Sequence, residues 1–371
     1  MDALTLFTII VGVIGTVAAI VQVIQYLEQR KEKEGTAVSF KPVALHRDAG
    51  EEQTASTTES LLSNSELVGL FYLTGDKVVA RVHHKFEPDY SSGISAAFDR
   101  LNTKKAGTGF EGYFAGKRFR PITPPKMSNG FLEINLTPLN YAFVALMKDE
   151  LSEPADRELV QAEIAKAAKR LPKRLISKDH RFNAYGYNLL GTEVCFITSD
   201  GFTLLRRRGK NVLTGRHRWD VSMSGHPTPD DVVENRLDVT HTIRRDTRNE
   251  IEDINADPRK IVFIGFHRNM VSGDIDILAF WPVDDTAERL KSLITKKRPD
   301  KNTRVFRTTE QALEKYVWDT DNLLVEFNGP AILQALQSEN LSLGNLLPEA
   351  LVCLELALLA QKQPALSIGL S

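Results

Sequence analysis

Residues 193–208 read EVCFITSDGFTLLRRR. Two apolar runs, 193–198 and 202–206, flank Ser199-Asp200-Gly201, a triplet suited to a tight turn. The pattern predicts a β-hairpin that ends in Arg206, Arg207 and Arg208. Working outward, 218–226 (RWDVSMSGH) leads through an acidic loop to a charged helix around 238–254. An apolar strand at 261–266 then precedes His267-Arg268-Asn269, and a further strand closes at 275–283 (IDILAFWPV). Upstream, Gly75-Asp76 separates two apolar runs within 66–82, a second hairpin signal, and 110–119 and 130–139 add short β-like segments. Residues 154–171 place Leu159, Ile164, Ala167, Ala168 and Leu171 near one helical face. Residues 329–336 and 348–361 read as closing helices, and the latter is too short to span a bilayer and belongs in the core. Strands interleaved with helices make the body an α/β protein of the α+β kind.

The chain is 371 residues long, 26% charged and 42% hydrophobic, which excludes a disordered or collagen-like protein. Its 47 basic and 48 acidic residues leave a net charge of −1, so no global field draws in nucleic acid, and no DNA or RNA polymer is expected as a partner. Cys195 and Cys353 each sit in an apolar run, without metal-ligand spacing, and fit a reducing compartment.

Residues 4–27 (LTLFTIIVGVIGTVAAIVQVIQYL) carry no charge. As a helix they reach roughly 36 Å, enough to cross a hydrocarbon core of about 30 Å. The run is too long for a signal peptide and lacks a basic leader, so a single retained transmembrane helix is expected. Arg30, Lys31 and Lys33 follow it while only Asp2 precedes it, which puts the N-terminus outside and the body in the cytoplasm. Thr8, Gly12, Gly15, Ala19 and Gln22 form one stripe of small and polar residues, either a self-association face or ordinary membrane-helix composition. The expected organisation is a transmembrane helix (4–27), a polar tether (28–65), an α/β accessory region (66–180), a main domain (181–340) and a C-terminal helix and tail (341–371).

The order strand, turn, strand, arginine cluster, Trp-containing strand, Gly-acidic loop and acidic helix resembles the Nudix fold. That family's box is G-x5-E-x7-R-E-u-x-E-E-x-G-u, with u aliphatic. Here Gly225 is followed after five residues by Asp231, and the next spacer is six residues longer than the family's. Arg245-Asp246 takes the R-E position, Asn249-Glu250 takes E-E, and Thr247, Glu252 and Asp253 depart from the pattern. The resemblance implies that Asp246 and Glu250 would hold Mg²⁺, with Glu250 catalytic, if the domain hydrolyses a nucleoside diphosphate derivative. Asp246, Glu250 and Asp253 share a helical face by spacing; that face could equally be a solvated one balanced by Arg244, Arg245 and Arg248. Shortened and lost carboxylates favour binding over turnover. Arg206, Arg207 and Arg208 are candidate phosphate clamps or plain strand-end charges, and Trp219 and Trp281 could stack on a base or pack in the core. His267 and Arg268 complete the candidate ligand-binding set. His83 and His84 would point to opposite faces, and His226, His241 and His267 are too scattered for zinc.

A single membrane helix joined to a degenerate Nudix domain resembles, in architecture, the transmembrane effectors of CBASS, the bacterial antiphage systems that signal through cyclic oligonucleotides. The resemblance implies an inner-membrane homo-oligomer that binds a cyclic di- or oligonucleotide, contacts lipid and breaches the membrane. The alternative is a membrane-tethered Nudix hydrolase. A scaffold without a nucleotide ligand is the third reading.

Overall fold

The computed structural model describes residues 65–108, 112–179, 182, 184–208, 218–251, 254–270, 272–296, 322–327, 329, 331–332, 334 and 346–362, all within one compact unit, Ser39–Ser371. The apolar stretch 4–27 with its stripe, the tether to residue 64, half of 329–336, and Glu252 and Asp253 lie outside them. Among the described residues no helix is long and apolar enough to cross a membrane.

In chain order the elements are β1 (Ser65–Thr74), β2 (Val78–Val82), α1 (Ser92–Ala106), β3 (Lys117–Pro121), β4 (Lys126–Ser128), β5 (Phe131–Asn140), α2 (Tyr141–Lys148) and α3 (Pro154–Ala168). The second half holds β6 (Leu190–Ile197), β7 (Phe202–Arg207), β8 (Trp219–Asp220), β9 (Met223–Gly225), β10 (Val232–Val233), β11 (Arg236–Leu237) and α4 (Val239–Ile251). After these come β12 (Val262–Asn269), β13 (Ile275–Pro282), α5 (Ala287–Lys296), β14 (Asn322–Glu326) and α6 (Pro348–Lys362). The fold is therefore mixed α/β, as the sequence implies.

The central sheet runs β1-β12-β13-β6-β9, antiparallel except for the parallel β13/β6 pair. Side chains alternate across it and sort into two cores. Cys195, Ile197, Leu278, Phe280 and Ile264 pack with α6, while Val194, Phe196, Ile277, Ala279, Phe263 and Phe266 pack with α4 and α5. Phe263 and Phe266 share a face although they are three apart, because the register shifts between Phe263 and Gly265. That bulge turns His267 and Asp276, which are register partners, toward the α6 side.

Both predicted hairpins are corrected in the same way. The Ser199–Gly201 turn closes, with the Thr198 N–H donating to Phe202 O at 2.8 Å and Gly201 at φ 82°. Beyond it the strands part: β7 pairs with β14 and β8 in a separate three-stranded sheet. Buried Ser222 fills the gap, accepting from the Phe196 N–H at 2.9 Å and donating to Leu204 O at 2.8 Å. At Gly75-Asp76 a short 3-10 turn likewise carries the chain from β1 into another sheet, β10-β11-β2-β5-β3, with β4 on β5. The accessory and main regions thus exchange strands, β1 entering the central sheet and β11 pairing with β2.

Candidate functional site

Two polar centres flank the central sheet at one end. The first is built on α4, whose buried positions Val239, Thr242, Ile243, Thr247 and Ile251 fix which side chains turn inward. Arg245 is its hub. Its guanidinium donates to Asp246 Oδ1 at 2.9 Å (Nε) and 2.7 Å (Nη2), to His226 O at 3.1 Å, and to Asp231 and Thr228. His241 Nδ1 adds a contact of 2.8 Å to the fully buried Asp231 carboxylate. The residues aligned with the box, Asp231, Arg245 and Asp246, are therefore brought together. One turn on, Glu250 shares the Asp246 face and is engaged by Arg206 of β7.

The electrostatics follow from burial. Asp246 is pushed up to about 7 by burial, against the pull of Arg245, and Glu250 is raised by burial against Arg206. The outward face of α4 carries His241, Arg244 and Arg248 with neutral Asn249, which together with the edge of Arg245 line a cavity of about 240 Å³. A pair of Mg²⁺ ions would need the inward carboxylates; Arg206 engages Glu250, and Arg245 engages Oδ1 of Asp246 while its buried Oδ2 has no hydrogen bond. Among the described residues no group of three or more His, Cys, Asp or Glu side chains is placed to hold a metal. By themselves Asp246 and Glu250, each paired with an arginine, make a poor donor set for Mg²⁺.

Gly225 is where the sheet meets this helix. A Cβ there would lie 2.1 Å from Asp246 Oδ2 and 2.9 Å from its Cγ. Gly225→Ala should therefore destabilise the fold by about 1–3 kcal/mol through overpacking. Adding Asp246→Ala should cancel part of that cost in a double-mutant cycle read by urea denaturation. Additive losses would show that the two residues do not touch.

The second centre lies on the α6 side and was not expected from the sequence. Glu193, Asp220, Asp276 and Glu349 are all buried there. Ser224 donates to Glu193 Oε1 at 2.8 Å, Asn269 donates to Glu349 Oε2 at 2.9 Å, and Arg208 meets Asp220 at 3.4 Å. Gly191 makes room for Asp276, since a Cβ would fall 2.0 Å from Asp276 Oδ1. Burial first, then the neighbouring carboxylates, raises Asp276 to about 8 and Glu349 to about 7, and lifts Glu193 well above the carboxylate range. Burial thus favours the protonated form of Glu193, Asp276 and Glu349.

The remaining expected ligand contacts fall into or beside this interior. Arg206 and Arg208 pair with Glu250 and Asp220, and Arg268 pairs with buried Glu66 at 3.3 Å. Arg207, in register with Trp219, is half-buried. Trp219 is packed in the core with α6, and Trp281 donates to Asp257 O at 3.0 Å from the opposite core. His267 is fully buried, depressed to about 4 by burial, and stays neutral. The overlooked acids carried a signal: Glu193 and Asp276 occupy the inward phase of apolar strands, alternating with Cys195 and Ile197 and with Leu278 and Phe280. Comparison with known protein-family models and with curated proteins finds no match to the chain.

Proposed function

We propose that residues 181–340 form a Nudix-like domain that binds a nucleotide without hydrolysing it, and that the chain is a membrane-anchored effector of the CBASS kind. The ligand is a cyclic di- or oligonucleotide; its binding drives self-association and disruption of the bacterial inner membrane, with the N-terminus outside and the body in the cytoplasm. One observation carries the loss of hydrolysis: Arg245 and Arg206 occupy Asp246 and Glu250, the two carboxylates a metal-dependent mechanism would need. The order of sheet, loop and helix supports the Nudix-like assignment. The charge-free stretch 4–27 supports the anchor. Since a lone helix has an internally satisfied backbone and a lipid-compatible surface, disrupting a bilayer requires several copies, which self-association would supply.

The full chain in detergent should bind at least one cyclic dinucleotide or oligonucleotide by calorimetry, equally well with Mg²⁺ or with a chelator, and return it intact. Magnesium-dependent release of a monophosphate from a dinucleotide or a nucleoside diphosphate sugar would establish the hydrolase instead.

A further inference from the structure

The six residues that lengthen the box spacer, 232–237, form the β10–β11 hairpin, which leaves the central sheet and pairs with β2. Between this hairpin and the residues after β2 opens a cleft of about 550 Å³. Its walls present Arg81, Lys85, Arg174 and Arg236, with His83 and His84, against one acid, Glu234. Arg81 and Arg236 stand directly opposite each other in an antiparallel register, a position where like charges repel. Among the described residues the ion-pair partner of Arg81 is Glu133, 4.0 Å away and well exposed. Among the described residues Lys85, Arg174 and Arg236 have none.

The wall is held in place. Glu234 and Asn235 adopt φ of 50° and 63°, the two left-handed positions of a tight two-residue hairpin turn, a backbone that glutamate seldom takes. Asn235 O accepts the Val82 N–H at 2.8 Å, pinning the turn to β2. Phe86, Pro172 and Leu175 supply an apolar part of the lining. Concentrated cations, arginine forks suited to bidentate contact with phosphate, and an apolar surface in a cleft of small-molecule size make one chemical demand.

We infer that this cleft is the binding site for a small ligand bearing two or more phosphate groups on an organic body of dinucleotide size. The cations gather in one concavity, whereas a nucleic-acid polymer needs a track that neutralises many successive phosphates. For the nucleotide the inference rests on the function proposed above; for the phosphates it stands on the charges alone. Ligand closing over Arg81 and Arg236 would relieve their repulsion and tie β2 to the loop that enters α4.

The test uses the full chain in detergent with three probes: tripolyphosphate, a panel of cyclic dinucleotides and a single-stranded oligonucleotide. The parent should bind tripolyphosphate and at least one cyclic dinucleotide, more weakly as salt rises. Arg81→Gln with Arg236→Gln should lower both affinities by about 30-fold or more. The same pair should leave the melting temperature unchanged or higher, because the facing like charges are gone. Arg259→Gln, on a side chain 89% exposed and outside the cleft, should leave both affinities unchanged. Cyclic dinucleotide binding that survives the double substitution overturns this site and leaves the proposed function standing. Tripolyphosphate binding that depends on both arginines, with no cyclic nucleotide bound, keeps the phosphate site and overturns the proposed ligand. Failure of the parent to bind either small probe, or tighter binding of the oligonucleotide, overturns the inference.

Discussion

Raising the pH from 6.5 to 8 should weaken the fold by roughly 2–4 kcal/mol, measured as the urea-denaturation free energy at half-unit intervals. The cause is the set of buried carboxyls beneath α6, joined by Asp246 on α4. Asp276 is raised to about 8, Glu349 and Asp246 to about 7, and Glu193 higher still, in each case by burial first. A carboxyl with a raised folded-state pKa keeps its proton in the folded chain after the unfolded chain has released it. Its contribution is therefore complete at low pH and is lost as pH climbs through the folded value. His226 and His267, both depressed to about 4 by burial, act in the opposite sense. They stay neutral when folded but take up protons in the unfolded chain below about 6.5, so they weaken the fold only on the acid side of that value. Between 6.5 and 8 the histidines are silent and the carboxyls act alone. Stability should accordingly fall throughout the interval from 6.5 to 8. Asp276→Asn should flatten the fall and make the protein more stable than the parent at pH 8, because Asp274 and Asp220 no longer repel a charge there. A stability that is level or rising from 6.5 to 8 would sink this account of the interior.

What the sequence disclosed about this fold depended on whether the information was local. The helices at 154–168, 239–251 and 348–362 were legible because their apolar spacing or length announces them. Helix α2, YAFVALMK, was not: an eight-residue apolar run looks the same in a buried strand. Both hairpins failed for a different reason. A turn triplet reports that the chain reverses, but whether the flanking strands pair with each other depends on distant competitors, here β12 for β1 and β14 for β7. The bulge near Ile264, which reorients His267, left no mark that alternation alone could reveal. In the site, the box spacing singled out Asp231, Arg245, Asp246 and Glu250, and in space Arg245 meets Asp231 and Asp246 while Glu250 follows one turn along α4. It could not show that Arg206, 44 positions before Glu250, would meet that carboxylate inside the protein. The long spacer read as damage to the box, whereas in space it is a hairpin that builds another wall.

Glu250→Gln should cost about 3–5 kcal/mol of folding stability, far more than a carboxylate on an exposed helical face would. The side chains of Arg206 and Glu250 are 10% and 14% exposed, so neutralising Glu250 takes a buried carboxylate contact from Arg206 in a poorly solvated place. Arg208 lies close enough to weigh on the same carboxylate, which makes the remaining guanidinium harder to accommodate. Replacing both residues together, Arg206→Met with Glu250→Leu, should return stability to within about 1 kcal/mol of the parent or above it, since the pair's mutual attraction is largely offset by the desolvation of both charges. The comparison separates two uses of Glu250. A carboxylate kept for metal-dependent catalysis should tolerate Glu250→Gln with little loss of stability and a large loss of turnover. A carboxylate kept as the counter-ion of Arg206 should show a large loss of stability, a rescued double variant and no turnover to lose. Calorimetric melting of the parent, Glu250→Gln and the double variant, read beside a phosphate-release assay, decides between them. A stable, single Glu250→Gln protein would return the α4 carboxylates to the metal reading and remove the main support for a binding-only domain.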